Sequence, residues 1–111
     1  MKHLSDVVLI QLRTISDPRG HLVPIESGVD CLLKIKRTFL IYGVPKGEVR
    51  GHHAHISTKQ FFICTNGQCT IECYDGKDKA EFVLNSPNQG LFLPEMIWSH
   101  QTYDVQETTL L

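Results

Sequence analysis

At 111 residues the chain has room for one domain with a real core and not for two. With 41% hydrophobic and 21% charged residues and a net charge of -1, it offers neither a basic field for nucleic acid nor an acidic tail. The apolar run at residues 7–12 is only six long and is interrupted by Gln11, which excludes a signal peptide or a membrane span there and predicts a cytoplasmic protein.

In chain order the pattern is β almost throughout. Residues 7–12 read as a first strand, Asp17-Pro18-Arg19-Gly20 as a turn, and residues 21–26 as a second strand that Pro24 confines to an edge or bulge. Residues 27–30 break it. Residues 32–42 read as a longer strand, with Leu33, Ile35, Phe39 and Ile41 on one parity and Arg37 a charge interrupting that parity.

Gly43 to Gly47 then turns the chain into a histidine-rich stretch. Residues 60–65 and 68–74 are expected to pair through Asn66-Gly67, a strong short hairpin signal, and Asp75-Gly76 closes the next hairpin before residues 79–84. Residues 85–90 read as a loop, 91–94 as a short strand and 103–111 as a last polar-apolar stretch. No helix of ordinary length is predicted. Eight or more short strands in one domain mean a sandwich or a barrel.

The four cysteines, Cys31, Cys64, Cys69 and Cys73, have no C-x-x-C spacing. Cys69 and Cys73 on one strand lie roughly 13 Å apart, beyond disulfide reach. All four are expected to be reduced and mostly buried, which makes a structural zinc site a poor reading.

Chemistry concentrates in residues 47–60, where three of the six histidines fall within four positions. On an extended segment His53 and His55 share one face and His52 takes the other. Arg50 has the wrong parity to join the pair unless Gly51 permits a kink or bulge. Two imidazoles on one face, with Gln60 downstream, hold a metal, move protons, or simply face solvent at an edge. The apolar strand and tight turn that follow favour the mouth of a barrel over an open edge.

The spacing Gly47-x5-His53-x-His55-x4-Gln60-x6-Gly67 fits the first cupin motif, with Gln60 where metal-binding cupins carry glutamate. Ser99, just after Trp98, stands where the second motif would supply another histidine. Two imidazoles and a neutral amide make a weak first-row metal site, so no metal and no other cofactor is expected.

A series of further motifs occurs in order: Asp17 to Gly20, Ile25-Glu26, Lys36-Arg37, Ile41 to Pro45, Arg50 to His55, Asn66 to Cys69, Asp75 to Lys77, Asn85 to Leu91 and Ile97-Trp98. Together they resemble the sugar 3,4-ketoisomerases of the WxcM-like family, over about residues 8 to 98. That resemblance implies an all-β fold, a small cupin jelly-roll barrel (double-stranded β-helix) formed by residues 1–111 as a single domain. It also implies a homodimer with exchanged N-terminal strands, no metal, and a dTDP-linked 4-keto-6-deoxy sugar as substrate.

Moving a carbonyl from C4 to C3 of a hexose requires removal of the C3 proton, an enediol, and return of a proton to C4. Histidine is a base suited to this near neutral pH. By motif position His53 is the carbon base, and His55 shuttles the oxygen proton or orients the ring. Arg50 suits either the developing enediolate or the nucleotide phosphates. Arg19 matches a family arginine near the sugar, and Arg37 is either a further substrate contact or half of a rim ion pair with Glu26. Gln60 would bond a sugar hydroxyl or hold His53 in one tautomer. Trp98 and Tyr42 are wall or stacking candidates, with core packing as the alternative for Trp98. His21, beside Arg19, could also line the site, whereas His52 and the terminal His3 are expected at the surface.

Four features depart from the family pattern. Ser99 replaces a histidine or arginine, Leu40 a second tyrosine, and Met96 a turn glycine; the sequence ends at Leu111, where family members continue into a Tyr-Asp-rich tail that helps close the dimer and the site. A catalytically lapsed cupin that binds a sugar nucleotide or another small ligand is therefore the alternative reading.

Overall fold

The computed structural model describes residues 3–31, 33–55 and 57–111, and for His53 the backbone alone. A 3-10 turn at Leu4–Asp6 precedes eleven strands: β1 (Val8–Gln11), β2 (Ile15–Asp17), β3 (Gly20–Leu22), β4 (Val49–His53), β5 (Gln60–Phe62), β6 (Cys64–Asn66), β7 (Cys69–Tyr74), β8 (Lys79–Leu84), β9 (Gln89–Leu93), β10 (Trp98–Tyr103) and β11 (Thr109–Leu110). Among the described residues there is no α-helix, and no helix long and apolar enough to cross a membrane.

Two antiparallel sheets form the jelly roll, one ordered β1-β9-β5 and the other β4-β10-β7-β8. Alternation along the strands decides which side chains enter the space between them. In β7, Cys69, Ile71 and Cys73 are buried while Thr70, Glu72 and Tyr74 face outward. The centre of the three-stranded sheet, β9, reads less polar because it is covered more fully: Gly90, Leu91 and Leu93 are all buried. Phe62, Leu91 and Leu93 from one sheet meet Ile71, Leu84 and Tyr103 from the other in one core cluster. Each such apolar side chain, fully buried, stabilises the fold by about 1.5–3 kcal/mol.

The Asp75-Gly76 hairpin forms as the sequence predicts, with Tyr74 opposite Lys79. The Asn66-Gly67 hairpin does not. β6 pairs with β11, and β7 pairs with β8 and β10, so Gly67 (φ +81°) turns a corner between sheets instead of joining partners. The corner is tied to residues 105–108. Thr108 Oγ1 donates to the Val105 carbonyl (2.8 Å) and accepts from Gln68 N–H (3.3 Å), and Asn66 Nδ2 donates to the Glu107 carbonyl (2.9 Å). These bonds replace the ladder a hairpin would have supplied.

The strand expected over residues 32–42 is likewise absent from the described residues 33–42, and Leu32 lies outside them. Only Ile41 pairs, through reciprocal backbone bonds of 2.8 and 3.0 Å with Leu110. Among the described residues no strand lies beside 33–40, where the Ile35 N–H donates to Ser27 Oγ instead (3.1 Å), and Phe39 and Leu40 are exposed. The second predicted strand stops at Leu22, and residues 23–26 continue without a ladder. The loop after it is organised by Asp30, which accepts a two-pronged bond from Arg13 (2.7 and 3.0 Å) and another from Glu26 N–H (2.8 Å).

All four cysteines are free and buried. Burial pushes the thiols of Cys69 and Cys73 up to about 12, so neither is a thiolate near neutrality.

Candidate active site

The irregular end of β4 sets the site. β4 pairs with β10 in the register Val49–Thr102, Arg50–Gln101, Gly51–His100 and then His53–Ser99, leaving His52 as an extra residue in a β-bulge. Gly51 takes φ +102° and His52 φ +62°. A Cβ on Gly51 would stand 3.1 Å from both His100 Cα and Ser99 O, so a glycine is needed for closeness as well as for dihedral angle. The bulge changes the parity. Arg50 and His53 both stand opposite buried positions of β10, Gln101 and Ser99, and the kink the sequence demanded of Gly51 is present.

His52 is exposed, with its ring centroid 5.1 Å from that of His100, and His100 Nε2 lies 4.0 Å from Glu72 on the outer face. Beyond His53 the chain leaves the sheet. The carbonyl of His55 then accepts Met96 N–H at 2.7 Å. Met96 belongs to the turn 94–97 between β9 and β10 and adopts φ +70°, the left-handed conformation for which a glycine would be the ordinary choice. At the other side of that turn Leu93 stands opposite Gln60 in β5. Five positions thus converge at one end of the two sheets: Gln60, His53, His55, Glu95 and Ser99.

Along β10 the inward residues are Ser99, Gln101 and Tyr103, an unbroken polar stripe that is buried throughout. Among the described residues the Tyr103 hydroxyl has no hydrogen-bond partner. Burial, reinforced by Cys69, pushes it up to about 12, while the cationic Arg50 pulls the other way. Arg50 itself is exposed and lines a groove of about 510 Å³ with Leu40, Tyr42, Val44 and Glu48.

The remaining expected residues lie apart. Arg19 sits at the tip of the β2–β3 hairpin, paired with Asp17 at 2.7 Å, and its side chain is 90% exposed. Arg37 stands over the Phe39 ring at 5.4 Å in the exposed segment 33–40, and Tyr42 is 75% exposed. Trp98 faces outward and lines a second groove with Tyr74, Lys79, Glu72 and His100, so it is neither core nor a wall of the inner stripe. His21 bonds Ser16 across the hairpin at 2.7 Å. The side chain of His53 lies outside the described residues. Gln101 and Tyr103 carry no signal in the sequence, since a polar inward stripe has no apolar alternation by which to find a strand, and Glu95 lies in the polar turn before it.

An all-β jelly roll of two sheets that brings the backbone of a histidine pair and an amide residue to one end is a cupin-type scaffold. Comparison with known proteins places it more narrowly: residues 5–111 match the family described as FdtA, WxcM-like, C-terminal, and the chain belongs to that family. It is 36% identical over 96 residues to the TDP-4-oxo-6-deoxy-alpha-D-glucose-3,4-oxoisomerase of Aneurinibacillus thermoaerophilus, covering 86% of this chain and 68% of that one. Among solved structures, the QdtA 3,4-ketoisomerase of Thermoanaerobacterium thermosaccharolyticum superimposes with a TM-score of 0.92 at 32% identity, over 97% of this chain and 78% of that one. That structure is a histidine-to-asparagine variant in complex with TDP-4-keto-6-deoxyglucose. The WlaRB TDP-quinovose 3,4-ketoisomerase of Campylobacter jejuni gives 0.92 at 30% identity, over 96% and 82%.

Proposed function

We propose that residues 1–111, as one cupin domain, form a metal-independent 3,4-ketoisomerase of a dTDP-linked 4-keto-6-deoxy-hexose, cytoplasmic and acting in deoxysugar or surface-polysaccharide biosynthesis. The observation that carries this reading is the bulge that aligns Arg50 with His53 opposite buried polar positions of β10 while the chain carries His55 to the same end. His53 takes the C3 proton, and the electron pair left behind forms the C3–C4 double bond as the C4 carbonyl oxygen gains a proton. His55 carries the proton of the C3 hydroxyl away from the enediol, and C4 is protonated as the C3 carbonyl forms. No electron leaves the sugar, so no redox cofactor is required. His53 ends β4 and His55 follows two residues on, tied to the β9–β10 turn through its carbonyl, so both belong to the same end of the sheets. Arg50 neutralises enediolate or phosphate charge, and Gln60 holds a hydroxyl or an imidazole tautomer.

Metal independence follows from the donor set, since Gln60 offers a neutral amide and Ser99 a hydroxyl where a first-row metal would want carboxylate and imidazole. Purified protein dialysed against a chelator is expected to convert dTDP-4-keto-6-deoxyglucose to its 3-keto isomer at an undiminished rate. Activity that disappears on dialysis and returns with a divalent metal would overturn this. Binding without conversion would leave a lapsed cupin holding a sugar nucleotide.

The active form is a homodimer with exchanged N-terminal strands. All six residues of β2 and β3 are exposed, including Ile15 and Leu22, which face each other across the ribbon, and an isolated two-stranded ribbon is marginal in water. β4 meanwhile has an open edge beside the groove lined by Leu40, Tyr42 and Val49. An arm from a second copy covers both, and it carries Arg19 towards the other subunit's site, which explains why Arg19 stands apart in a single chain. Sedimentation equilibrium is expected to give twice the 12.6 kDa chain mass; a monomer at micromolar concentration that still turns over would contradict the exchange.

A further inference from the structure

We infer that Glu95 is a positioning residue of this site, a carboxylate that sets the protonation and tautomer of the histidine pair; the inference rests on the isomerase reading and deepens it. Glu95 follows Pro94 in the turn whose next residue, Met96, donates its N–H to the His55 carbonyl at 2.7 Å, so its backbone is fixed one residue from that contact. The residue is only partly buried, yet its Oε2 is shielded from solvent. A carboxylate oxygen withdrawn from water requires a cation or a donor near it.

The charged and titratable groups of the surrounding elements narrow the choice. Arg50 of β4 turns to the open groove with Tyr42 and Glu48. His52 and His100 pack together on the outer face, His100 beside Glu72 of β7, and Lys79 of β8 reaches the same Glu72 at 3.9 Å. Cys73 of β7 is a buried neutral thiol. Lys59, ahead of β5, is exposed. The turn that carries Glu95 is bound to the His55 carbonyl through Met96, and Ser99 just beyond it stands opposite His53, which puts the backbone of the histidine pair beside this carboxylate's turn.

The chemistry suits the pair. An adjacent carboxylate favours imidazolium, which strengthens the base that takes the carbon-bound proton and stabilises the cation formed when it does. It also gives the site a charged residue at the end where Ser99, opposite His53, provides only a hydroxyl.

The test compares wild type with Glu95→Gln and Glu95→Asp, reading histidine titrations by NMR on the unliganded protein and, separately, the pH profile of isomerisation. In Glu95→Gln the midpoint of at least one of His53 and His55 is expected to fall by about one unit, equivalent to a tenfold change in proton affinity. The acid limb of kcat/KM moves down with it, kcat falls about tenfold or more with KM held within about twofold, and Glu95→Asp recovers part of the loss. Titrations in Glu95→Gln that coincide with wild type, in a protein whose NMR dispersion shows it folded, would overturn the inference. A shifted titration in a wild-type protein that does not isomerise would instead retire the isomerase reading and uphold the carboxylate–imidazole coupling.

Discussion

Replacing His53 or His55 with alanine is expected to lower turnover of dTDP-4-keto-6-deoxyglucose by about 10²- to 10⁴-fold, the range contributed by a positioned general base. The two losses are not expected to add, because both imidazoles serve one proton circuit and either gap interrupts it. KM should move little, since the proposed reading assigns substrate binding to Arg50 and not to the two imidazoles. His52→Asn is the matched control: asparagine tolerates the left-handed backbone that His52 adopts in the bulge, and the ring it removes lies on the outer face. Its rate should stay within about twofold of wild type. Steady-state kinetics on the three variants check this. An active His53→Ala would move the carbon base elsewhere.

The second large effect is on stability. Gly67→Ala forces a side chain onto a residue at φ +81°, and the new Cβ would stand 2.5 Å from Thr108 Oγ1 and 2.9 Å from Thr108 Cα. The second contact is backbone, so relief requires the corner between β6 and β7 to move. Strain at a left-handed position and overpacking together cost roughly 2–4 kcal/mol, a fall in Tm of about 8–16 °C for a chain of this size. Gly76→Ala separates the two contributions. Its φ is +97°, yet nothing lies within 4 Å of the added atom, so only the backbone cost, about 1–2 kcal/mol, remains. Equal melting points for the two variants would show that the Thr108 contact does not pin the corner.

The way Gly67 is used shows where local sequence stops being informative. Asn-Gly specifies a turn with a glycine at positive φ, and Gly67 has φ +81°; whether the flanking strands pair with each other or with strands far along the chain is set by β11 and β10, which no short-range pattern encodes. Residues 33–41 show a related limit. Their alternation suits a strand, but a strand needs an edge to pair with, and a single chain supplies one only at Ile41. β10 was invisible because its inward residues are Ser99, Gln101 and Tyr103.

Other features were legible because covalent geometry forces them. Parity alone required a bulge at Gly51 if Arg50 was to join His53, and the register contains one. The family resemblance, and not covalent geometry, put Met96 at a turn glycine's position, and its φ of +70° agrees. Free cysteine is among the most buried residue types, and all four thiols, expected to be mostly buried, are buried. Glu95 could not be singled out in advance, since a carboxylate after a proline in a polar turn is ordinarily solvated.

The central claim is that this site enolises a sugar at C3. Incubating the protein with dTDP-4-keto-6-deoxyglucose in D2O and following the C3 proton by NMR tests it directly. Loss of that resonance with wild type but not with His53→Ala is the predicted result. Saturable binding of the sugar nucleotide with the C3 proton fully retained would contradict it.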